Sequence, residues 1–220
     1  MRNDMADIII YGTGLIAEVA HFYFTHDTGR HIACFTNAGS FIKESTLLNL
    51  PVVPFENIEA LFPPEHYDMF IAIGYTKTNQ IRQQRYAEAK AKGYRLVTYI
   101  SSRAAYYATP VGDNCLILEN NVIQPYVTIG NNVTLWSGNH IGHHSVIEDH
   151  CFISSHVVVS GSCYIEENCF LGVNSTLRDN VRIGKLSVIG SGATVMKNCG
   201  ERSLVQPAKS RHEIIEKDII

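Results

Sequence analysis

The sequence of 220 residues lacks an excess of basic residues, a long apolar run and a signal-peptide region. Its 18 Lys and Arg against 21 Asp and Glu give a formal net charge of −3. Proteins that bind nucleic acid usually carry an excess of basic residues, so a nucleic-acid partner is not expected. No apolar run approaches the ~20 residues that a membrane-spanning helix needs. The chain begins MRND and passes into a strand-like run without the apolar region of a signal peptide. We therefore expect a cytoplasmic protein with no membrane insertion.

The six cysteines include no CxxC pair, which excludes a zinc ribbon or a thioredoxin-like motif. Without a secretory context, disulfides are not expected either. Hydrophobic residues make up 45% of the chain and charged residues 18%, a composition typical of globular domains with substantial cores.

A six-residue repeat occupies the second half of the chain. From Val111 to Gly200 the sequence reads as fifteen consecutive hexapeptides, and each begins with Val, Ile or Leu. Given the average abundance of these residues, chance agreement is on the order of one in a billion. The fifth position holds small or medium side chains, including five of the six cysteines, which indicates a buried packing role for those thiols.

The fourth position indicates how the chain turns. It holds Gly twice and Asn seven times, residues that tolerate a left-handed backbone. The asparagines are Asn114, Asn120, Asn132, Asn168, Asn174, Asn180 and Asn198. A short strand and a corner every six residues describe a triangular prism, so fifteen hexapeptides predict about five coils, each rising ~4.8 Å.

The first hundred residues alternate between strand-like and helix-like segments. The run DIIIY at 7–11, the Gly12-Thr13-Gly14 turn and an amphipathic stretch from Leu15 to Phe24 predict the start of a Rossmann-like α/β unit. The next strand ends in Thr36-Asn37 and not in an acid, which argues against NAD. Further strands are predicted at 32–35, 51–53, 69–73 and 96–99, and a second helix at 79–92 before Gly93.

These patterns predict a Rossmann-like domain at 1–100, a β-helix at 101–200 and a C-terminal cap at 201–220. The cap would comprise Gln206-Pro207-Ala208-Lys209 and the HEIIEKDII tail, since the open end of a solenoid needs covering.

Several of these motifs together resemble a known family. They are the GxG-turn domain, Ala72-Ile73-Gly74 at a strand end, ENCFLGVNS at 167–175 and VIGSGAT at 188–194. The combination is similar to the bacterial nucleotide-sugar N-acetyltransferases, alongside the sialic acid O-acetyltransferase-like proteins, over nearly the whole chain. The resemblance implies a left-handed parallel β-helix, a homotrimer and acetyl-CoA as co-substrate.

Five histidines lie between residues 140 and 156, which at first suggests a metal site. However, His144, His150 and His156 hold the corner positions of three successive hexapeptides, so their side chains should diverge. Histidine is also among the residues enriched in left-handed conformations. We therefore expect no metal site here.

His143 occupies an outward-facing position beside a corner, and by resemblance it matches the family's catalytic histidine. A neutral imidazole can take the proton of an attacking amine near pH 7. Relatives often place an acid after this histidine, where this chain has His144. His144 and Glu148 are therefore candidate supporting residues, although Asp149 or a carboxylate of a neighbouring subunit could serve instead.

The resemblance also implies binding residues. For acetyl-CoA, bound between adjacent β-helices, they are Phe152, Gly161, Val173 and Ser191, with Phe152 standing where a polar residue is expected. For the nucleotide-linked sugar they are Gly12, Thr13, Gly14, Leu15, Thr36, Asn37 and Gly74. Relatives tend to have an acidic pair at the position of Thr36-Asn37. The resemblance therefore implies that this chain recognises a nucleotide other than a uridine nucleotide.

The implied function is an acetyl-CoA-dependent N-acetyltransferase acting on a nucleotide-linked 4-amino-4,6-dideoxy sugar, in surface-glycan biosynthesis. Alternatives are O-acetylation of a sialic-acid-like sugar, use of a different acyl-CoA, and a non-enzymatic β-helix scaffold. The absence of an acid beside His143 favours an amine over a hydroxyl acceptor, which needs a stronger base. The α/β domain and His143 argue against a scaffold.

Overall fold

The computed structural model describes residues 6–107 and 110–209; the predicted HEIIEKDII tail lies outside them. The N-terminal part is a six-stranded sheet in the order β3-β4-β2-β1-β5-β6, parallel except for the β3–β4 pair. The strands are β1 (Ile8–Tyr11), β2 (Ile32–Asn37), β3 (Thr46–Leu47), β4 (Leu50–Pro54), β5 (Asp68–Ile71) and β6 (Arg95–Leu96). The helices are α1 (Leu15–His26) and α2 (Gln80–Ala91), with 3-10 turns at Gly39–Phe41 and Phe55–Ala60.

The order of the parallel strands indicates which edge of the sheet could bind a ligand. Numbered along the chain without β3, the strands run 3-2-1-4-5 across the sheet, the order of doubly wound sheets that bind ligands where the direction of winding reverses. That point is the carboxyl edge of β1 and β5. Gly12 follows β1 there with a φ of +126°, and a Cβ at this position would lie 2.6 Å from the Ala72 carbonyl oxygen. Only glycine fits this close approach.

The rest of the described chain is a parallel β-helix of two-residue strands. Its three sheets run β23-β21-β18-β15-β12-β9-β7, β22-β19-β16-β13-β10-β8 and β11-β14-β17-β20. The strands are β7 (Tyr99–Ile100), β8 (Ala105–Tyr106), β9 (Leu116–Ile117), β10 (Val122–Ile123), β11 (Thr128–Ile129), β12 (Thr134–Leu135), β13 (His140–Ile141), β14 (Val146–Ile147), β15 (Phe152–Ile153), β16 (Val158–Val159), β17 (Tyr164–Ile165), β18 (Phe170–Leu171), β19 (Thr176–Leu177), β20 (Arg182–Ile183), β21 (Val188–Ile189), β22 (Thr194–Val195) and β23 (Leu204–Val205).

The coils begin earlier than the hexapeptides indicate. β7 pairs with β9, and β8 with β10, so a coil without the hexapeptide pattern precedes the fifteen repeats. The strand predicted at 96–99 is divided as a result: Leu96 closes β6 of the α/β sheet, whereas Tyr99 opens the β-helix.

Side chains at equivalent positions of the hexapeptides stack on one another along the β-helix. The aliphatic first positions and the fifth-position cysteines and valines fill one continuous core, and all six cysteines are free thiols. The fourth residue has a positive φ in fourteen of the fifteen hexapeptides. Asn198 is the exception, because the last coil is shorter and its left-handed residue is Arg202, with a φ of 57°.

Both helices fasten the sheet to the β-helix. Arg82 of α2 is fully buried and donates through Nη2 to the carbonyl oxygens of Asn132, His150 and Cys151 at 2.9–3.1 Å. On the α1 side, Tyr23 donates to a Glu119 carboxylate oxygen at 2.5 Å. Such charge-assisted hydrogen bonds are among the stronger ones in proteins, so the two parts are held in one fixed arrangement.

A ladder of polar side chains runs through the corner beneath Arg82. Asn114 donates to Asn132 Oδ1 at 2.8 Å, and Asn132 Nδ2 lies 2.9 Å from His150 Nδ1. His150 is buried, and burial lowers its pKa from 6.5 to about 4. The imidazole is therefore neutral in the folded chain near pH 7 and contributes to packing.

This pKa predicts how stability changes with pH. Between about pH 6.5 and 4 the unfolded chain binds a proton at His150 that the folded chain does not, so stability is complete above this range and is lost on acidification. Urea unfolding at pH 7.5 and at pH 5 should show a loss of about 2 kcal/mol from this group. His150→Asn, which suits a left-handed corner, should remove that loss, whereas His156→Asn at an exposed corner should keep it. Equal pH dependence in wild type and His150→Asn would contradict this assignment.

Candidate functional site

A cavity of about 400 Å³ lies at the carboxyl edge of the α/β sheet. It is lined by Thr13 and Gly14 from the turn before α1 and by Asn37 from the end of β2. Asn37 Nδ2 donates to Thr13 Oγ1 at 3.1 Å, so these two predicted nucleotide-sugar residues meet. The neighbouring Thr36 is fully buried and donates to the Val53 carbonyl oxygen at 2.8 Å. Its side chain therefore holds the sheet together instead of facing the cavity.

The opposite wall of this cavity was not predicted. It comprises Phe41, Lys43 and Glu44, together with Thr46, Leu47 and Val52. An exposed aromatic ring and charges of both signs suit a nucleoside. These residues lie on a 3-10 turn and hairpin with no motif or period, so the sequence offered no signal for them.

A second cleft, of about 210 Å³, lies between α1 and the β-helix. Phe152, predicted to contact acetyl-CoA, lines this cleft and is buried among other rings, 5.1 Å from Tyr75 and 5.9 Å from Phe170 between centroids. Val173, another predicted acetyl-CoA residue, lines the same cleft. The remaining lining residues are Ile16, Tyr75, Trp136, Ser154 and Ser155.

The other glycines and Leu15 frame these cavities. Leu15 at the start of α1 is 79% exposed, so its side chain is accessible at the turn. Gly74 follows β5, and a Cβ there would lie 3.1 Å from Ile16 Cδ1. The predicted nucleotide-sugar residues other than Thr36 therefore gather around one edge of the sheet.

His143 lies on a different part of the molecule, at a β-helix corner, and is exposed. Its backbone N–H donates to Gln124 Oε1 at 2.9 Å, and its Nδ1 lies 3.0 Å from His144 Nδ1. The ring covers Gly161 one coil further on, where a Cβ would approach Cε1 to 2.8 Å and Nε2 to 2.9 Å. The imidazole thus lies over the Gly161 backbone in an exposed position, where it could reach the proton of a bound substrate.

Glu148 does not support His143 within one chain. Its carboxylate accepts hydrogen bonds from the Tyr164 hydroxyl and, at 3.1 Å, from the Glu167 backbone N–H. Asp149 is also engaged, because its Oδ1 accepts from the Asn131 backbone N–H at 2.7 Å. Both acids belong to another corner of the coil.

Three of the four predicted acetyl-CoA residues divide between two corners of the prism, whereas Phe152 lies on β15. Gly161 stacks beneath His143, whereas Val173 and Ser191 stack at the preceding corner, where a Cβ on Gly172 would lie 2.6 Å from Ser191 N. One chain therefore does not bring the imidazole and the Val173–Ser191 corner together.

His144, His150 and His156 occupy corners, with φ values of 60°, 65° and 56°. Within residues 6–107 and 110–209, no three His, Cys, Asp or Glu side chains gather as metal ligands would. Neither helix in that part of the chain is long and apolar enough to cross a membrane.

Comparison with known proteins places this geometry in context. Residues 111–143, 126–161 and 162–197 match the family model of the bacterial transferase hexapeptide (six repeats). The match covers the repeat-bearing part of the β-helix, whose parallel sheets fit the left-handed β-helix of acyltransferases.

Solved structures match nearly the whole chain. A histidine-to-asparagine variant of perosamine N-acetyltransferase from Caulobacter crescentus, in complex with CoA and GDP-perosamine, is 20% identical, with a TM-score of 0.82 over 94% of this chain and 98% of that one. The acetyltransferase domain of PglB from Neisseria gonorrhoeae, in complex with acetyl coenzyme A, is 18% identical, with a TM-score of 0.81 over 92% and 99%. WeeI from Acinetobacter baumannii is 18% identical, with a TM-score of 0.69 over 89% and 93%. These likenesses establish a shared fold.

The packing of His143 on Gly161 yields a prediction. Gly161→Ala should displace the imidazole, because the new Cβ would lie within 3 Å of two ring atoms. Stability should change little, since Gly161 is not among the residues with a positive φ. A crystal structure should show a moved His143 ring, with thermal unfolding close to wild type. Gly200→Ala, whose Cβ meets nothing within 4 Å, is the control, and an unmoved His143 ring in Gly161→Ala would contradict the packing.

Proposed function

We propose that the chain is an acetyl-CoA-dependent N-acetyltransferase that acts on the amino group of a nucleotide-linked 4-amino-4,6-dideoxy sugar. The observation that carries the proposal is the exposed His143 imidazole, seated on a rigid coil corner in a chain that also has a nucleotide-sized cavity. Solved proteins of this fold, crystallised with CoA and GDP-perosamine, support the choice of substrates. Its place would be the biosynthesis of surface glycans.

The N-terminal cavity would bind the nucleotide. The α1 N-terminus follows Gly12-Thr13-Gly14, and the free N–H groups of a helix start attract phosphate. The nucleoside would lie against Phe41, with Asn37, Lys43 and Glu44 available for hydrogen bonds. The sugar would extend from the diphosphate towards the β-helix, which α1 and α2 hold at a fixed distance.

The reaction would be a direct transfer. The sugar amine attacks the thioester carbonyl while its proton passes to His143 Nε2, and a backbone N–H stabilises the oxyanion. The tetrahedral intermediate then expels the CoA thiolate, which takes the proton from His143. The amide and free CoA are the products, so the histidine returns to its neutral form. Because Glu148 is engaged elsewhere, an amine is the favoured acceptor.

The complete site would form between copies of the chain in a homotrimer. His143 and the Val173–Ser191 corner are separated within one chain, and an adjacent β-helix can bring one against the other. The groove between the two coils would then hold acetyl-CoA, with the thioester near His143 of one subunit.

Replacing the base should abolish acetyl transfer. His143→Asn should lower kcat at least about a hundredfold, as loss of a general base does, without changing thermal stability. Thiol release from acetyl-CoA would be measured with UDP-, GDP- and dTDP-linked 4-amino sugars. His31→Asn, an exposed histidine at the amino end of β2, is the control and should remain active. Wild-type thiol release by His143→Asn would overturn the mechanism, and no release with any of these sugars by the wild type would overturn the N-acetyltransferase assignment.

Mixing two inactive variants tests the shared site. His143→Asn and Ser191→Trp alter different corners, so each homo-oligomer should be inactive. Unfolded and refolded together, they should regain part of the activity, because some interfaces would combine an intact His143 with an intact Val173–Ser191 corner. Sedimentation should give three times the chain mass. A monomeric enzyme with full activity, or no recovery in mixed trimers, would contradict the composite site.

A further inference from the structure

We propose that His144 is the positioning residue of the base: it fixes the proton on Nδ1 of His143 and thereby leaves Nε2 free to accept the substrate's proton. The inference rests on the proposed function. It gives an imidazole the role that a carboxylate often has in such pairs.

The two rings face each other through like atoms. Nδ1 of His143 and Nδ1 of His144 are 3.0 Å apart, and the ring planes are nearly perpendicular at 86°. Neutral imidazole has one N–H and one lone pair. One proton therefore lies between these atoms, because two would repel each other and none would leave two lone pairs in contact.

His144 is held more firmly than a surface side chain usually is. Its φ of 60° places it at a left-handed corner. Its ring lies against Tyr126, 4.7 Å between centroids with planes 34° apart. Tyr126 is itself a left-handed corner residue, with a φ of 67°. The partner ring is therefore positioned by the coil before any substrate binds.

The role of His143 as a base requires the shared proton to lie on its own Nδ1, because only then is Nε2 unprotonated. The ring lies over Gly161, where a Cβ would be 2.8 Å from Cε1, 2.9 Å from Nε2 and 3.3 Å from Nδ1, and the residue as a whole is exposed. With Nδ1–H donating to His144, the Nε2 lone pair is available for the amine proton. The resulting imidazolium would donate a charge-assisted hydrogen bond to His144 Nδ1, which is stronger than the neutral one.

A neutral partner has a different electrostatic effect from an acid. A carboxylate beside an imidazole favours its protonated form through its negative charge, which an uncharged neighbour does not supply. Asp179 also lies at this corner, where its Oδ1 accepts from the Gly161 N–H at 2.8 Å. The wild-type pair therefore lacks the negative charge that a histidine–carboxylate pair places beside the base.

Kinetics of corner-compatible variants test the role. His144→Gly should lower kcat about ten- to hundredfold, as loss of an orienting partner does, with KM for the nucleotide sugar nearly unchanged. His144→Asn should recover most of kcat, because its Oδ1 can accept the Nδ1–H and Asn tolerates the left-handed corner. Asn180→Gly, at an exposed left-handed corner with φ 61°, controls for the backbone change and should be unaffected. Equal kcat values for wild type and His144→Gly, or for the Gly and Asn variants, would overturn the proposal.

The pH profile supplies a readout that a structural role would not move. In His144→Asp the acid limb of kcat/KM should shift to higher pH by about one unit, because the carboxylate favours the imidazolium. An unmoved limb would contradict the role of the neutral partner.

A measurement without substrate separates this inference from the proposed function. ¹⁵N spectra of histidine-labelled protein at pH 8, with His143 identified by its loss in His143→Asn, should show the Nδ1–H tautomer in wild type and a change in His144→Gly. An Nε2–H tautomer in wild type would overturn the positioning role even if the enzyme acetylates amino sugars. The expected tautomer in a chain that acetylates none of them would refute only the function.

Discussion

The β-helix depends on one constraint: each coil must place its residues directly over those of the next, which within the fifteen hexapeptides lie eighteen positions along the chain. Parallel pairing in this register joins His140 to Val158 and Phe152 to Phe170. A side chain at a corner therefore has a fixed neighbour below, and its size is limited by that neighbour. His143 can lie flat because residue 161 is glycine. The same stacking that builds the core thus determines which corner can present an imidazole.

The site also requires the α/β sheet to be attached rigidly to the β-helix. Arg82 buries its charge against three carbonyl oxygens of the β-helix, and its guanidinium lies 5.6 Å from the centre of the Phe152 ring. A buried charge is costly unless it is hydrogen-bonded, and here Nη2 makes all three bonds, whereas Nε and Nη1 are buried with no hydrogen-bond partner among the described residues. The three Nη2 bonds tie α2 to the coils. Asn114 adds a second tie, because it accepts from the Ile71 backbone N–H at the end of β5 at 2.7 Å. The sheet edge that carries the cavity therefore has a fixed position relative to the β-helix.

The sequence predicts the repeating coils and the order of strands and helices in the α/β part, but little of the long-range packing between them. The aliphatic and cysteine rows, the corners and the position of His143 on the coil follow from a period of six, because each is tested fifteen times along the chain. The first coil at Tyr99 and the cavity wall at Phe41, Lys43 and Glu44 have no period. Their positions depend on long-range packing, and no local pattern records it. The hydrogen-bond partners of Glu148 were unpredictable for the same reason, since Tyr164 lies on the next coil.

These constraints together explain why the base would need a partner from its own corner. A site shared between subunits leaves the orientation of His143 dependent on assembly unless something in the same chain fixes it. Gly161 sets the plane of the ring from below, but a flat contact does not select a tautomer. The nearest acids in sequence are held at another corner by their own hydrogen bonds. His144 lies beside the ring at hydrogen-bonding distance and is steadied by Tyr126. A single corner can therefore supply both the base and the group that orients it before a second subunit arrives.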